Sequence, residues 1–147
     1  MRKPLSLKAR AVNFLSRREH SRYELKQKLS RYAEPEDAAM LDQLLDELER
    51  DNWLSDLRFA QSLVHRRANR RGVALIEHEL SQQGVAAEII HEVCQPLYET
   101  EFERCQQVWQ NRFNQPPTDR NDYARHYRFL GSRGFSPECI RRVIGSF

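Results

Sequence analysis

Glycine is scarce in this chain of 147 residues, with only five. They stand at Gly72, Gly84, Gly131, Gly134 and Gly145. Phosphate-cradling loops of the G-x-x-x-x-G-K-[ST] or G-x-G-x-x-G kind are absent, and so is a G-x-S-x-G nucleophile elbow. Metal signatures are missing too. There is no CxxC, and both "HELSQ" and "HEVCQ" lack the second histidine of HExxH. His91 and Cys94 lie three apart and could share a helix face, but a packed thiol beside a surface imidazole accounts for them better. The three cysteines, Cys94, Cys105 and Cys139, are odd in number and far apart. That excludes a disulfide frame and suits buried or idle thiols of a reducing cytosol. No run of 18 apolar residues exists, so no membrane-spanning helix is expected. The opening "MRKPLSLKAR" has no long apolar stretch, so a secretory signal is not expected either. The acids Asp42, Asp46, Glu47 and Glu49 alternate with leucines as a solvated helix face would, not as an acid/base pair. These absences argue against an enzyme and against a bound cofactor or metal.

What is present is helical spacing nearly throughout, and no stretch alternates apolar and polar for strand length. Leu7, Ala11 and Phe14 share a stripe, with Leu15 beside it. Ser21 and Glu24 form S-x-x-E, the pattern of a capping box, ahead of Leu25, Leu29 and Tyr32. Pro35 suits a first helical turn, followed by Met40, Leu41, Leu44, Leu45 and Leu48. Asn52 can take the left-handed turn that ends this helix. Ser55 caps the fourth helix, with Phe59, Ala60, Leu63 and Val64, and Gly72 breaks it. The fifth holds Leu75, Ile76 and Leu80 and stops at Gly84. The sixth holds Ile89, Ile90, Val93 and Cys94 and is ended or kinked at Pro96. The seventh holds Phe102, Cys105, Val108, Trp109 and Phe113. Thr118 can cap an eighth, with Tyr123, Tyr127 and Leu130 inside, stopped by Gly134. Ser136, Pro137 and Glu138 open a ninth, with Ile140, Val143 and Ile144 buried.

Nine helices invite a test for repeats. "LSQQGVAAEIIHEV" (80–93) and "LGSRGFSPECIRRV" (130–143) agree at Leu80/Leu130, Gly84/Gly134, Glu88/Glu138, Ile90/Ile140 and Val93/Val143. These are helix stops, first-turn acids and buried positions, where geometry dictates residue type. "ELKQKLSRY" echoes the leucine spacing of "LIEHELSQQ" more faintly. The expected architecture is all-α: three tandem three-helix repeats over 5–53, 54–98 and 99–147, in an elongated or curved stack. A unit this small buries little alone and must lean on its neighbours.

Charge follows the same rhythm. Residues 1–31 carry ten basic and two acidic side chains, residues 32–56 one and nine, residues 57–75 five and none. Residues 76–103 carry none and seven, and residues 104–147 eight and three. The strongest clusters are Arg17, Arg18, Arg22, Lys26 and Lys28 at one helix junction, and Arg66, Arg67, Arg70 and Arg71 at another. Arg112, Arg120, Arg125 and Arg128 stand in the last unit. The pairs 66/70 and 67/71 set like charges face to face along a helix, with no acid in the segment to relieve them. Two readings follow: each basic block lies against an acidic block of the same chain, or it meets an external anion, phosphate or an acidic protein surface. The complete absence of acids from 57–75 favours the external anion. Basic junctions that recur along the chain suit a long, sequence-neutral contact better than one base-reading helix.

"RREHSRYELKQKL" (17–29), "WLSDLRFA" (53–60), "IEHELSQQGV" (76–85) and "YRFLGSRGF" (127–135), in this order and at these intervals, resemble the RecX family of bacterial RecA regulators. The resemblance covers nearly the whole chain. It implies three tandem three-helix repeats in a curved molecule. It also implies a non-catalytic, cytoplasmic inhibitor that lodges in the groove of the RecA filament on single-stranded DNA, suppressing ATP hydrolysis and strand exchange. Arg17 and Arg18 match the family's basic first junction, and Arg58 and Phe59 match the R-F that starts its second unit. Two features depart from the family pattern: Asn52 with Ser55–Asp56 stands where a glycine and a paired acid are usual, and "RYAEPED" lacks a glycine after the second helix. The expected contacts to RecA or DNA are Arg17, Arg18, Arg22, Lys26, Arg66, Arg67, Arg70, Arg71, Arg125 and Arg128, in a protein working as a monomer. The competing expectation is a stand-alone helical nucleic-acid-binding protein.

Overall fold

The computed structural model describes residues 4–145. Arg2 and Lys3 of the first basic block, and the expected end of the third unit at 147, lie outside them. Among the described residues the chain forms eight α-helices, one short 3-10 turn and no strand. Serine caps open many of the helices, because a β-region serine lends its oxygen to an N–H that has no partner within the helix. Ser6 serves α1 (Leu7–Arg17), Ser21 serves α2 (Arg22–Ser30), and Ser55 serves α4 (Asp56–Arg67). Ser136 serves α8 (Pro137–Ile144), with Pro137 in its first turn. The 3-10 turn Pro35–Asp37 leads into α3 (Ala38–Arg50), which ends on the left-handed Asn52, φ 65°. Helix α5 (Val73–Gln82) ends on Gly84, φ 74°, and α7 (Arg120–Ser132) on Gly134, φ 89°.

Several expectations need correction. The sixth and seventh helices are one helix, α6 (Ala87–Arg112), which passes through Pro96 and through the expected unit boundary at 98/99. Proline costs a helix interior about 3 kcal/mol. Here the helix continues because one line of side chains serves two cores: Cys94 and Leu97, on either side of Pro96, pack in the second, and Cys105 packs in the third. The Leu97 carbonyl near the break accepts hydrogen bonds from Arg104 Nη2 at 2.9 Å and Thr100 Oγ1 at 3.4 Å. Gly72 does not break α4, which has already ended; it precedes α5. Thr118 does not cap α7. Asp119 does, its carboxylate accepting from the Asp122 N–H at 2.7 Å. Only the serine half of the box at α2 forms, because the Glu24 carboxylate turns to Arg18. Tyr32 and Met40 are about half exposed instead of completing their stripes.

There is no single core. Ala11, Leu25, Leu29, Leu41, Leu45, Leu48 and Leu54 pack as one cluster. Phe59, Ala60, Leu63, Val73, Ile76, Leu80, Val85, Cys94 and Leu97 form a second, and Cys105, Leu130, Phe135 and Ile140 a third. Among the described residues α6 contributes to two of these clusters, the second and the third.

The groups are joined twice by the same device. At the first joint the start of α2 meets the turn after α5. The Arg22 N–H donates to Asp56 Oδ1 at 2.8 Å, and a Cβ on Gly84 would sit 2.7 Å from Tyr23 Cβ. At the second joint the start of α5 meets the turn after α7. The Val73 N–H donates to Glu101 Oε1 at 3.0 Å, and a Cβ on Gly134 would sit 2.4 Å from Leu75 Cβ. In each case the second helix of one unit has its first N–H capped by an acid of the next unit and presses on a glycine turn of that unit. The second joint is the tighter. The Gly72 N–H donates to the Arg133 carbonyl at 2.8 Å, and a Cβ on Gly72 would lie 2.2 Å from the Gly134 carbonyl oxygen.

Candidate functional site

The basic side chains divide into those with carboxylate partners and those without. In the first unit Arg22 reaches across to Asp46 at 2.8 Å and Glu49 at 2.6 Å, and Lys26 reaches Asp42 at 2.9 Å. The acidic face of α3 is therefore the counter-ion of α2. Lys26 holds the Asp42 carboxyl below its ordinary range. Arg18 pairs with Glu24; burial would raise the Glu24 carboxyl, but Arg18 outweighs it and holds the group low. Arg17 is exposed and, among the described residues, has no ion pair.

In the second unit α4 ends at Arg67, so Arg70 and Arg71 leave the helix and the expected face-to-face stacking does not occur. Arg67 and Arg71 instead converge on Glu79 of α5, at 3.2 and 3.3 Å. The relieving acid comes from the following block, outside the segment whose lack of acids favoured an external partner. Arg66 and Arg70 remain exposed, without a carboxylate partner among the described residues. In the third unit Arg125 pairs with Asp122 at 2.6 Å, while Arg128 is exposed and has no carboxylate partner among the described residues. Of the ten expected contact residues, six are engaged within the chain, and Arg17, Arg66, Arg70 and Arg128 are open to an external anion.

Two buried histidines lie beside these clusters. His20 presents Nδ1 to the Arg18 carbonyl at 3.1 Å and Nε2 to Lys28 Nζ at 2.8 Å. An ammonium can only donate, so Nε2 accepts and the proton sits on Nδ1. His126 accepts at Nδ1 from the Trp109 indole N–H at 2.9 Å and stacks on Phe113 with ring centroids 3.7 Å apart. Burial pushes both imidazoles below 6.5, so both are neutral at pH 7. Burial also raises the Cys94 thiol to about 11 and the Cys105 thiol to about 12, which leaves both inert. Cys94 is packed and His91 is exposed, and among the described residues no three metal-ligating side chains gather.

Glu101 was not singled out in the sequence. It is 5% exposed and lies on the apolar stripe of Cys94, Leu97 and Cys105. An acid where the helical period calls for an apolar residue was the available signal. Its neighbour Arg104 donates to the Ala68 carbonyl at 2.8 Å and the Arg71 carbonyl at 2.6 Å, tying α6 to the end of the basic turn.

Three models of the RecX family match this chain in order. The first three-helix domain covers residues 8–40, the second 55–93 and the third 99–144. The chain belongs to the RecX family. The third RecX domain thus takes the C-terminal part of α6 as its first helix. Among similar proteins, a regulatory protein RecX of Ralstonia pickettii is 48% identical over 97% of this chain and 89% of its own length. Another, of Chromobacterium violaceum, is 38% identical over 95% of this chain and 89% of its own. A crystal structure of RecX from Lactobacillus salivarius superposes with a TM-score of 0.76 at 24% identity, over 94% of this chain and 92% of that one. That likeness shows that the three-unit RecX fold is shared. No helix among the described residues is long and apolar enough to cross a membrane.

Proposed function

We propose that this RecX-family chain is a non-catalytic inhibitor of the RecA recombinase. It acts in the cytoplasm as a monomer and occupies the groove of the RecA filament on single-stranded DNA, which suppresses ATP hydrolysis and strand exchange. The observation that carries the reading is the placement of the open cations. Arg17, Arg66, Arg70 and Arg128 fall one or two to each unit of a tandem chain whose units meet at two joints. A helical filament offers the same surface again at each protomer. A rigid body with charges at several stations can touch successive protomers and intervening phosphates, each contact raising the effective concentration of the next. The tandem division 5–53, 54–98 and 99–147 supplies those stations.

The test is a titration of DNA-dependent RecA ATPase. Inhibition is expected at concentrations too low to coat free DNA. A stand-alone nucleic-acid-binding protein would inhibit only when the DNA itself is covered and would show no preference for filaments, and that result would replace the proposal.

A further inference from the structure

Among the described residues the third unit gathers more cation–ring contacts than the first, whose pairs are Arg10–Tyr32 and Lys28–Phe14. Arg22, Lys26, Arg67 and Arg71 spend their donors on carboxylates. In the third unit, arginines and phenylalanines alternate instead. The Arg125 guanidinium lies 5.3 Å from the Phe113 ring centre and Arg112 lies 6.0 Å from it. Arg112 is also 5.5 Å from the Phe129 ring, and Arg133 lies 5.0 Å from that ring. The two rings meet edge to face at 5.5 Å. Phe113 is fixed from behind by its stack on His126, which the Trp109 N–H orients in turn. All three arginines are exposed, and among the described residues only Arg125 has a carboxylate partner, Asp122.

A guanidinium within about 6 Å of a ring centre is attracted to the ring without using its N–H donors as hydrogen bonds to it. Arg112 and Arg133 are therefore held in place, charged, and short of acceptors. A planar fork of this kind fits the paired oxygens of a phosphate. No base-edge acceptor pattern is offered, and Phe113 already has its stacking partner, so recognition falls on the backbone. We infer that the ladder Arg125–Phe113–Arg112–Phe129–Arg133 is a binding strip for the phosphodiester backbone of single-stranded DNA. This deepens the reading above, on which the choice of a single strand rests, by assigning the strand contact to the third unit.

The test uses no RecA, so its failure is separable from failure of the filament reading. Anisotropy of a labelled mixed-sequence single-stranded oligonucleotide is followed against the full chain over a range of salt. Arg112→Gln with Arg133→Gln should weaken binding about tenfold at physiological salt and lower the slope of log affinity on log salt by ~1.4, since each single-strand phosphate contact contributes ~0.7. Arg112→Lys with Arg133→Lys keeps the charge and loses the planar fork, so affinity should fall while the slope stays near that of the native chain. Circular dichroism confirms that each variant is folded. An unchanged slope and affinity in the glutamine variant would overturn the strip, and native affinity in the lysine variant would reduce it to undirected charge. Displacement by polyglutamate as effective as by unlabelled oligonucleotide at equal charge would overturn the assignment to DNA.

Discussion

One methyl group separates Gly134 from alanine, and at this position the second joint leaves no space for it. The added carbon would fall 2.4 Å from Leu75 Cβ on a backbone with φ 89°. Gly131, three residues earlier, would present the same methyl to nothing within 4 Å. Gly134→Ala should cost about 1–3 kcal/mol through overpacking and left-handed strain, while Gly131→Ala should be neutral or stabilising by up to ~1 kcal/mol. Urea unfolding of the two variants makes the comparison. The buried histidines set a pH dependence at the same scale. Burial lowers both in the folded state, so between their folded values and 6.5 the unfolded chain binds protons that the folded chain refuses. By linkage, stability is full above 6.5 and declines as pH falls below it. His126→Gln should flatten the decline between pH 7 and 5, as read from Tm against pH.

At the scale of elements, the joints depend on acids lent from one unit to the next. Glu101 caps the first N–H of α5 from α6, and its loss leaves a buried donor unmatched. Glu101→Ala should therefore cost about 1–3 kcal/mol. Glu101→Gln, which keeps an acceptor oxygen, should cost less; thermal unfolding separates the two. Much at this level was legible in the sequence. Ser21, Ser55, Asn52, Gly84 and Gly134 act as caps and stops because their local chemistry decides their role. The identities at a spacing of fifty residues mark positions that do the same job in units two and three. What was not legible depends on partners distant in the chain. Pro96 reads as a break because the sequence does not show that both sides of α6 find a core. The acid for Arg67 and Arg71 lies 12 and 8 residues away on another helix, beyond any segment-by-segment charge count. The two interdomain caps lie 34 and 28 residues from the N–H groups they serve.

For the molecule as a whole, repetition of one joint explains a local irregularity. Gly84 and Gly134 stand where the start of another unit's helix presses on a turn. The corresponding turn after α2 is Tyr32–Ala33, and there Tyr32 is 52% exposed with the Arg10 guanidinium 3.9 Å over its ring. Neither Tyr32 nor Ala33 takes a positive φ, so no glycine is required where "RYAEPED" departs from the pattern. The open cations carry a further prediction at this scale. Reversing Arg66 and Arg70 to Glu should weaken RecA inhibition and leave helical content intact, because neither has a carboxylate partner among the described residues to lose; inhibition at the native level would remove them from the interface. The same change at Arg67 and Arg71 would set new acids against Glu79 and disturb the second unit instead.

Three cores strung through two alike joints predict a molecule longer than a globule. Small-angle scattering from the full chain in dilute solution measures this directly. A compact chain of this length has a radius of gyration of ~15 Å; the stacked arrangement requires a clearly larger value. A measured radius at the compact value would contradict the stack, and with it the spacing of charges along a filament.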